Sequence, residues 1–338
     1  VQGYSFGSGL AFDRVTQITL PASVVHRFSP RLTVDVSTAF ATASVRTAGG
    51  SSLSISGLVD TDVRAVLSIV PSRLLFTLVT TLPTGRTSVA DTVVPLFGVL
   101  ATDLLDFSMP SFGSGGAVTG GLASAFRLGS DWALGAAASY RYTLNYSPVA
   151  GSGQLEPGDE LRLRVGLEGP LGGGTYLRSA LVVTASGGDT LTGSQSSITG
   201  DRLLGYAAMS LPFGRSVASF YAFDMYRMRP RGFNTTYKNA VQVPRGNVMV
   251  LGARLDRPLS PTMRLSPALE FRNEVVGSGN SFQTLGSLFR FGADLRWRVA
   301  ASATVVFQGQ LAFGSVQDQG TSVSVFGPRI GALIEWAR

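Results

Sequence analysis

From Pro261 to Val275 the chain alternates. Met263, Leu265, Leu269, Phe271 and Val275 stand on one parity, and Thr262, Arg264, Ser266, Glu270, Arg272 and Glu274 on the other. A period of two predicts a β-strand with one apolar face and one charged face. After a loop expected at 276–285 the pattern returns. Phe289, Phe291, Leu295, Trp297 and Val299 now alternate with Arg290, Asp294, Arg296 and Arg298. These strands run to about 14 residues, against a usual 5–6. Length on that scale, with both signs of charge on one face, suits a wall with lipid on one side and water or polar side chains on the other.

The same reading along the chain predicts strands at about 4–12, 17–28, 32–47, 53–69, 74–82, 116–128, 132–146 and 160–167. It continues with 175–187, 202–213, 216–228, 247–257, 261–275, 286–299, 301–314 and 322–336. In the fourth, Leu53, Ile55, Val59, Val63, Leu67 and Ile69 are expected on one face, and Ser54, Ser56, Asp60, Asp62, Arg64 and Ser68 on the other. Short connections (29–30, 71–72, 129–130, 169–174, 214–215, 257–261, 299–301) alternate with longer ones (47–52, 83–112, 147–158, 188–200, 229–246, 276–286, 315–321). That asymmetry predicts an all-β, antiparallel up-and-down transmembrane barrel of about 16 strands as a single domain over 1–338, an even count as such barrels require. The alternative count is 14, with residues 1–28 plugging the lumen. Pro21, Pro267 and Pro328 fall inside proposed strands and are expected at bulges or strand ends.

Composition supports a membrane wall. Charged residues make up 14% of the chain and mean hydropathy is +0.24, whereas roughly 25% charge is usual in globular proteins. No run of about 18 apolar residues exists, so helical spans are not expected. Cysteine is absent, which leaves the redox compartment open. Val1-Gln2-Gly3 lacks the basic start and apolar core of a signal peptide, so the numbering is expected to begin at a processed end. The net charge of +7 is carried by arginine except at Lys238. Because the arginines are dealt out along strand faces, no nucleic-acid patch is expected.

Candidate chemistry follows from the faces. Arg64, Arg141, Arg162, Arg164, Arg264, Arg272, Arg290 and Arg296, with Asp60, Asp62, Glu270 and Asp294, are expected to line the inside; Asp224 is also assigned there. Such a lining reads either as a hydrated passage with a slight anion preference or as an ion-pair lattice that stiffens the wall. The longest loop, 83–112, is apolar and partly helical over 91–105. Its Val93, Val94, Leu96, Phe97, Val99, Leu100, Leu104 and Leu105 are too apolar to stay in water. They are expected to form a constriction at the barrel mouth, an interface or a ligand pocket. Trp132, Trp297 and Trp336 read as an interfacial girdle. The single histidine, His26, sits beside a short turn and is read as interfacial, so no catalytic residue is assigned. Asp60 and Asp62 share a face, and neutralisation by Arg64 outweighs cation binding. No metal and no cofactor are expected.

On these residues the chain resembles bacterial outer-membrane β-barrels of the porin and channel kind over nearly its whole length. Members of that class usually finish on an aromatic residue, whereas Trp336 stands two places before Arg338. Leu82-Pro83-Thr84-Gly85, the apolar 91–105 and Phe112-Gly113-Ser114-Gly115 are similar, more narrowly, to the loop of the long-chain fatty-acid transporter and aromatic-hydrocarbon channel family. The resemblance implies an integral outer-membrane location with the bilayer and small solutes as partners; a homo-oligomer is left open. It implies a passive channel for small polar or anionic solutes, an uptake channel for hydrophobic compounds, or a structural barrel with a closed lumen.

Overall fold

The computed structural model describes residues 1–151, 153–191, 194–195, 199–228, 245–278, 281–318 and 320–336. Its wall is a closed antiparallel barrel of sixteen strands. In chain order they are β1 (Gln2–Phe6), β2 (Phe12–Arg27), β3 (Leu32–Thr47), β4 (Ser52–Leu58 continued by Thr61–Val70) and β5 (Leu74–Leu82). Then come β6 (Ala117–Leu128), β7 (Trp132–Thr143), β8 (Glu160–Gly172), β9 (Thr175–Ser186), β10 (Arg202–Phe213) and β11 (Ser216–Arg227). The last five are β12 (Gly246–Ser260), β13 (Met263–Ser278), β14 (Ser281–Ala300), β15 (Ala303–Asp318) and β16 (Thr321–Trp336). Each strand pairs with the next, and β1 pairs with β16 through Gln2↔Arg329, Ser5↔Phe326 and Phe6↔Val325, which closes the ring. Residues 1–28 belong to the wall, so the count of 14 with an N-terminal plug does not hold.

Several boundaries differ from the pattern. The first strand stops at Phe6, because Gly7-Ser8-Gly9 turns the chain and Gly9 takes a φ of +122°. The connections expected at 276–286 and 315–321 are tight instead. There β13 and β14 stay paired to Ser278↔Ser281, and β15 and β16 to Asp318↔Thr321. The expected loop at 229–246 lies almost wholly outside the described residues.

The largest correction lies in β4. Phe40 opposes Leu58, but Ser37 opposes Asp62, so β4 carries one residue more than β3 between these pairs. An extra residue flips the parity of everything beyond it. Leu53 and Ile55 therefore face inward with Ala43 and Val45, while Leu67 and Ile69 face outward. Asp224 is a second correction. It lies on the exposed face of β11, where Asn247 donates to it at 3.0 Å.

The prolines need no bulges. Pro21 pairs with Ala39, Pro267 with Ala293 and Pro328 with Leu311, all without a register shift at those sites. Each sits where the ladder on its other side is thin. β1 reaches only Gln17 of β2, the β1–β16 ladder passes over Pro328, and the β12–β13 ladder skips from Arg254↔Ala268 to Arg257↔Leu265. A missing N–H is tolerated there.

The outward face is an apolar belt. Leu269, Phe291 and Leu311 form one exposed cross-strand row, and half-buried Phe271 with exposed Phe289 and Phe313 another, with ring centroids 4.8 and 5.8 Å apart. Trp132, Trp297 and Trp336 all lie at the short-turn end, with exposed Phe28 and Phe213. Exposed Tyr140 and Tyr142 mark the opposite end of β7. From Trp132 to Tyr140 is about 26 Å along a strand, or about 20 Å across a membrane once strand tilt is included. That suits the apolar band of a transmembrane barrel. Phe291, in the middle of the belt, is 59% exposed. Phe291→Arg is therefore expected to cost about 2–4 kcal/mol of folding into bilayers, read by urea titration in lipid vesicles. Folding equal to wild type would show that this face does not meet lipid.

The inward loop and the lumen wall

The long connection between β5 and β6 folds inside the ring. A single 3-10 turn (Asp91–Val93) leads into α1 (Val94–Leu100), with Pro95 in the first turn, where a missing N–H costs nothing. Leu96, Leu100, Leu104, Leu105, Phe107 and Phe112 are at most 6% exposed. They form one core with inward residues of the wall: Tyr4 of β1, Val15 of β2, Ala41, Ala43 and Val45 of β3, Ile55 of β4, Leu288, Ala312 and Val325. Phe97 packs at the edge of that core with its ring edge-on to Phe112, and Val99 beside it. Val94 stays exposed and Val93 is half-buried. Apolar side chains on the inner face of β2 to β4 and β14 to β16 thus find their partners in the loop.

The base of the loop is a narrow neck. Asp60, re-aimed at the break in β4, accepts the Gly85 N–H at 3.0 Å, the Ser114 N–H at 2.6 Å and the Ser114 hydroxyl at 2.9 Å. Its charge is spent on holding the two arms of the loop together. Asp62 accepts the Thr81 hydroxyl, and Arg64 pairs with Asp35 at 3.9 Å rather than with either aspartate. At the crossing, a Cβ on Gly85 would lie 1.8 Å from the Phe112 carbonyl oxygen, and one on Gly113 2.6 Å from that of Arg86. The Gly residues of Leu82-Pro83-Thr84-Gly85 and Phe112-Gly113-Ser114-Gly115 are there because two backbones touch. Tyr146 covers Gly115 from the next loop. Burial first, then the charges of Asp60 and Asp189, hold its phenol above the ordinary value.

The tip, 103–109, is latched to the wall by buried charge. Arg290 is 3% exposed and donates to the carbonyls of Leu104 (3.2 Å) and Leu105 (2.8 Å), to the Tyr4 hydroxyl, and to Asp106 and Glu270. Arg272 donates to the Asp103 carbonyl at 2.6 Å and pairs with Asp106 and Glu270. Arg227 pairs with Asp103 and Glu274, and Glu274 accepts the Leu104 N–H at 2.9 Å. Gln2 donates to the carbonyls of Leu105 and Asp106, Gln17 exchanges two bonds with the Met109 backbone, and Arg329 donates to Ser108. Burying charge is costly unless it is paired and bonded throughout, and almost every oxygen here has a donor. Arg272, Arg290 and Glu270 are therefore covered by the loop, away from bulk water.

The opposite side of the ring is different. None of the core residues and none of the hydrogen bonds of 91–112 involves β6 to β10 among the described residues. There the inward arginines Arg127, Arg162, Arg164 and Arg178 are exposed, as are outward Leu161, Leu163 and Val165 on the other face of the same wall. Small residues surround them. Ala123, Ala125, Ala133, Gly135, Ala137, Gly166 and Ala180 leave a recess of about 300 Å³ with Arg164, Arg178, Glu168 and Tyr206 on its lining. Arg178 pairs with Glu168 at 3.2 Å, and Glu160 is shared by Arg162 and Arg202. Arg127, Arg141 and Arg164 have no ion pair among the described residues. Arg264, Arg296 and Asp294 lie on the inner face of β13 and β14 towards the short turns, where Asp294 pairs with Arg254 at 3.0 Å. The alternation put Arg141, Arg162, Arg164, Arg264, Arg296 and Asp294 on the same side of the wall as Arg272, Arg290 and Glu270. It did not separate those under the loop from those facing open space, and it missed Arg227, Gln2 and Gln17 altogether.

His26 faces outward beside Phe28, with ring centroids 4.5 Å apart. Among the described residues no group of three or more His, Cys, Asp or Glu side chains could hold a metal ion.

No protein-family model and no curated protein matches the chain. Among solved structures it is similar to a bacterial polysaccharide outer membrane secretin, 8% identical over 100% of this chain and 97% of that one, with a TM-score of 0.49. It is also similar to OpdQ of Pseudomonas aeruginosa, 11% identical over 99% and 95% of the two chains, with a TM-score of 0.46. A third is OmpT, an outer membrane protein of Vibrio cholerae, 11% identical over 99% and 98%, with a TM-score of 0.41. The chain's own closed ring of sixteen strands, apolar belt and aromatic ends make it an integral transmembrane β-barrel, the architecture of outer-membrane proteins.

Proposed function

We propose that the barrel is a passive, non-enzymatic channel for small polar solutes with a preference for anions. The passage runs between the inward loop and the arginine-bearing wall of β6 to β9. One observation carries the reading: the loop packs on one side of the ring, and the inward arginines of the other side stay exposed. A sixteen-stranded ring is wide enough to hold both a packed loop and water. Exposed guanidinium groups raise the local concentration of anions and lower that of cations. The apolar residues of 91–105 are spent on the internal core, which speaks against a hydrocarbon pocket. The passive mechanism needs no reacting group, and the outward His26 offers none to the lumen.

The test is a reversal potential in a planar bilayer under a tenfold potassium chloride gradient. Replacing Arg162, Arg164 and Arg178 together by Gln is expected to shift it towards cation selectivity while the conductance stays within about twofold. A reversal potential equal to that of wild type, with conductance intact, would take these residues out of the pathway.

A further inference from the structure

At the short-turn end of the lumen, like charges face each other. Arg264 of β13 is directly opposite Arg296 of β14, an arrangement that weakens a sheet unless something neutralises it. Arg298 stands one inward position further towards the rim, its guanidinium donating to the Pro261 carbonyl at 2.9 Å. Among the described residues one acid makes a close ion pair with this group. Glu335 of β16 takes Arg296 in a two-pronged pair at 3.0 and 3.2 Å. Arg264 makes no hydrogen bond or ion pair among the described residues. The next acids inward, Asp256 and Asp294, are both engaged by Arg254, and Asp256 also accepts the Ser266 hydroxyl. Three guanidinium groups thus line a recess of about 380 Å³ together with Pro258, Thr262 and Thr304, and Glu335 reaches it only through Arg296.

We propose that this recess is a binding site for the oxyanion head of a small solute, a phosphate or a carboxylate, at the turn-side mouth of the channel. The planar fork of arginine matches both groups, and a recess of that size holds a small metabolite-sized ligand. Arg264, which senses the charge of Asp256 but makes no hydrogen bond or ion pair among the described residues, is the primary contact, and Arg298 closes the other side. Glu335 competes with the ligand for Arg296. Solutes entering the passage would then be those whose charge this site draws in. The inference rests on the channel reading for its purpose, although binding itself does not require conduction.

The test is calorimetric titration of the detergent-solubilised full chain with inorganic phosphate and, separately, with succinate. Arg264→Gln combined with Arg298→Gln is expected to weaken binding by about tenfold or more, as loss of two charge-assisted contacts implies. Glu335→Gln should tighten binding by about threefold or more, because it frees Arg296 and removes a repelling charge. Arg215→Gln, at a short turn on the same rim, controls for general surface charge and should leave the affinity as it is. Tighter binding of phosphate than of succinate assigns the head as phosphoryl, and the reverse order assigns it as carboxylate. Equal affinity in wild type and the double variant would overturn the proposal. So would weaker binding in Glu335→Gln, or an equal loss in Arg215→Gln. A barrel that binds phosphate but carries no current would keep this site and remove the channel reading instead.

Discussion

Replacing Arg290 by Met is expected to release the inward loop. The side chain is 3% exposed and serves five acceptors at once: two loop carbonyls, the Tyr4 hydroxyl, and the carboxylates of Asp106 and Glu270. Met fills much of the same volume and satisfies none of them. Removing one partner from a buried ion pair typically costs about 3–5 kcal/mol, and the lower end applies here, because Arg272 still pairs with Asp106 and Glu270 and Asp106 is 43% exposed. That cost falls on the latched arrangement. The sixteen-stranded ladder keeps all its backbone bonds, so the barrel should still fold. Hydrogen exchange of the Leu104 and Met109 amides, both bonded to wall side chains, should then speed up by about two to three powers of ten. Current through single channels should flicker. Arg290→Lys should fall between, since it keeps the charge and loses the fork. Unchanged exchange at both amides in Arg290→Met would mean that the apolar core alone holds the loop.

Excising Val93–Leu105 and bridging the gap with a short Gly/Ser segment is expected to raise single-channel conductance by about two- to fivefold, since the widest object inside the ring is gone. The excision removes Leu96, Leu100, Leu104 and Leu105 from the internal core and leaves Tyr4, Val15, Leu288 and Val325 facing water. That loss lowers stability without removing any strand. Heat-modified gel mobility would show whether the ring still closes. A folded barrel with wild-type conductance would mean that the narrowest point lies elsewhere.

The wall was legible because lipid on one side and water on the other impose a period of two, which survives glycine, proline and changes of loop length. Strand number and facing followed from it at Phe271, Phe291, Arg264 and Arg296. The pattern failed where one residue was inserted. Nothing about Val59 or Asp60 announces a bulge, yet it turns Leu53 and Ile55 inward and makes them partners of the loop. The glycine-rich ends of β13 and β14 read as a loop because glycine and serine carry no face, but the ladder runs through them. The apolar run in 91–105 signalled that the loop must pack on something. What it packs on depends on residues such as Gln2, Gln17 and Arg227, each unremarkable in its own stretch of sequence. Arg290 and Arg164 share a face type and a residue type. Alternation gives the side of the wall and is silent about what covers it.

The off-centre loop is tested most directly by cysteine labelling from water, for which the chain is suited because it has no cysteine of its own. Arg164→Cys places a thiol on the exposed inner wall, and Ala43→Cys places one at a position that is 0% exposed beneath the loop. With a membrane-impermeant thiol reagent on the folded barrel in vesicles, Arg164→Cys is expected to react at least about 100-fold faster than Ala43→Cys, the protection a packed segment gives when opening costs about 3 kcal/mol. Equal rates at the two positions would contradict a loop held against one wall beside an open passage.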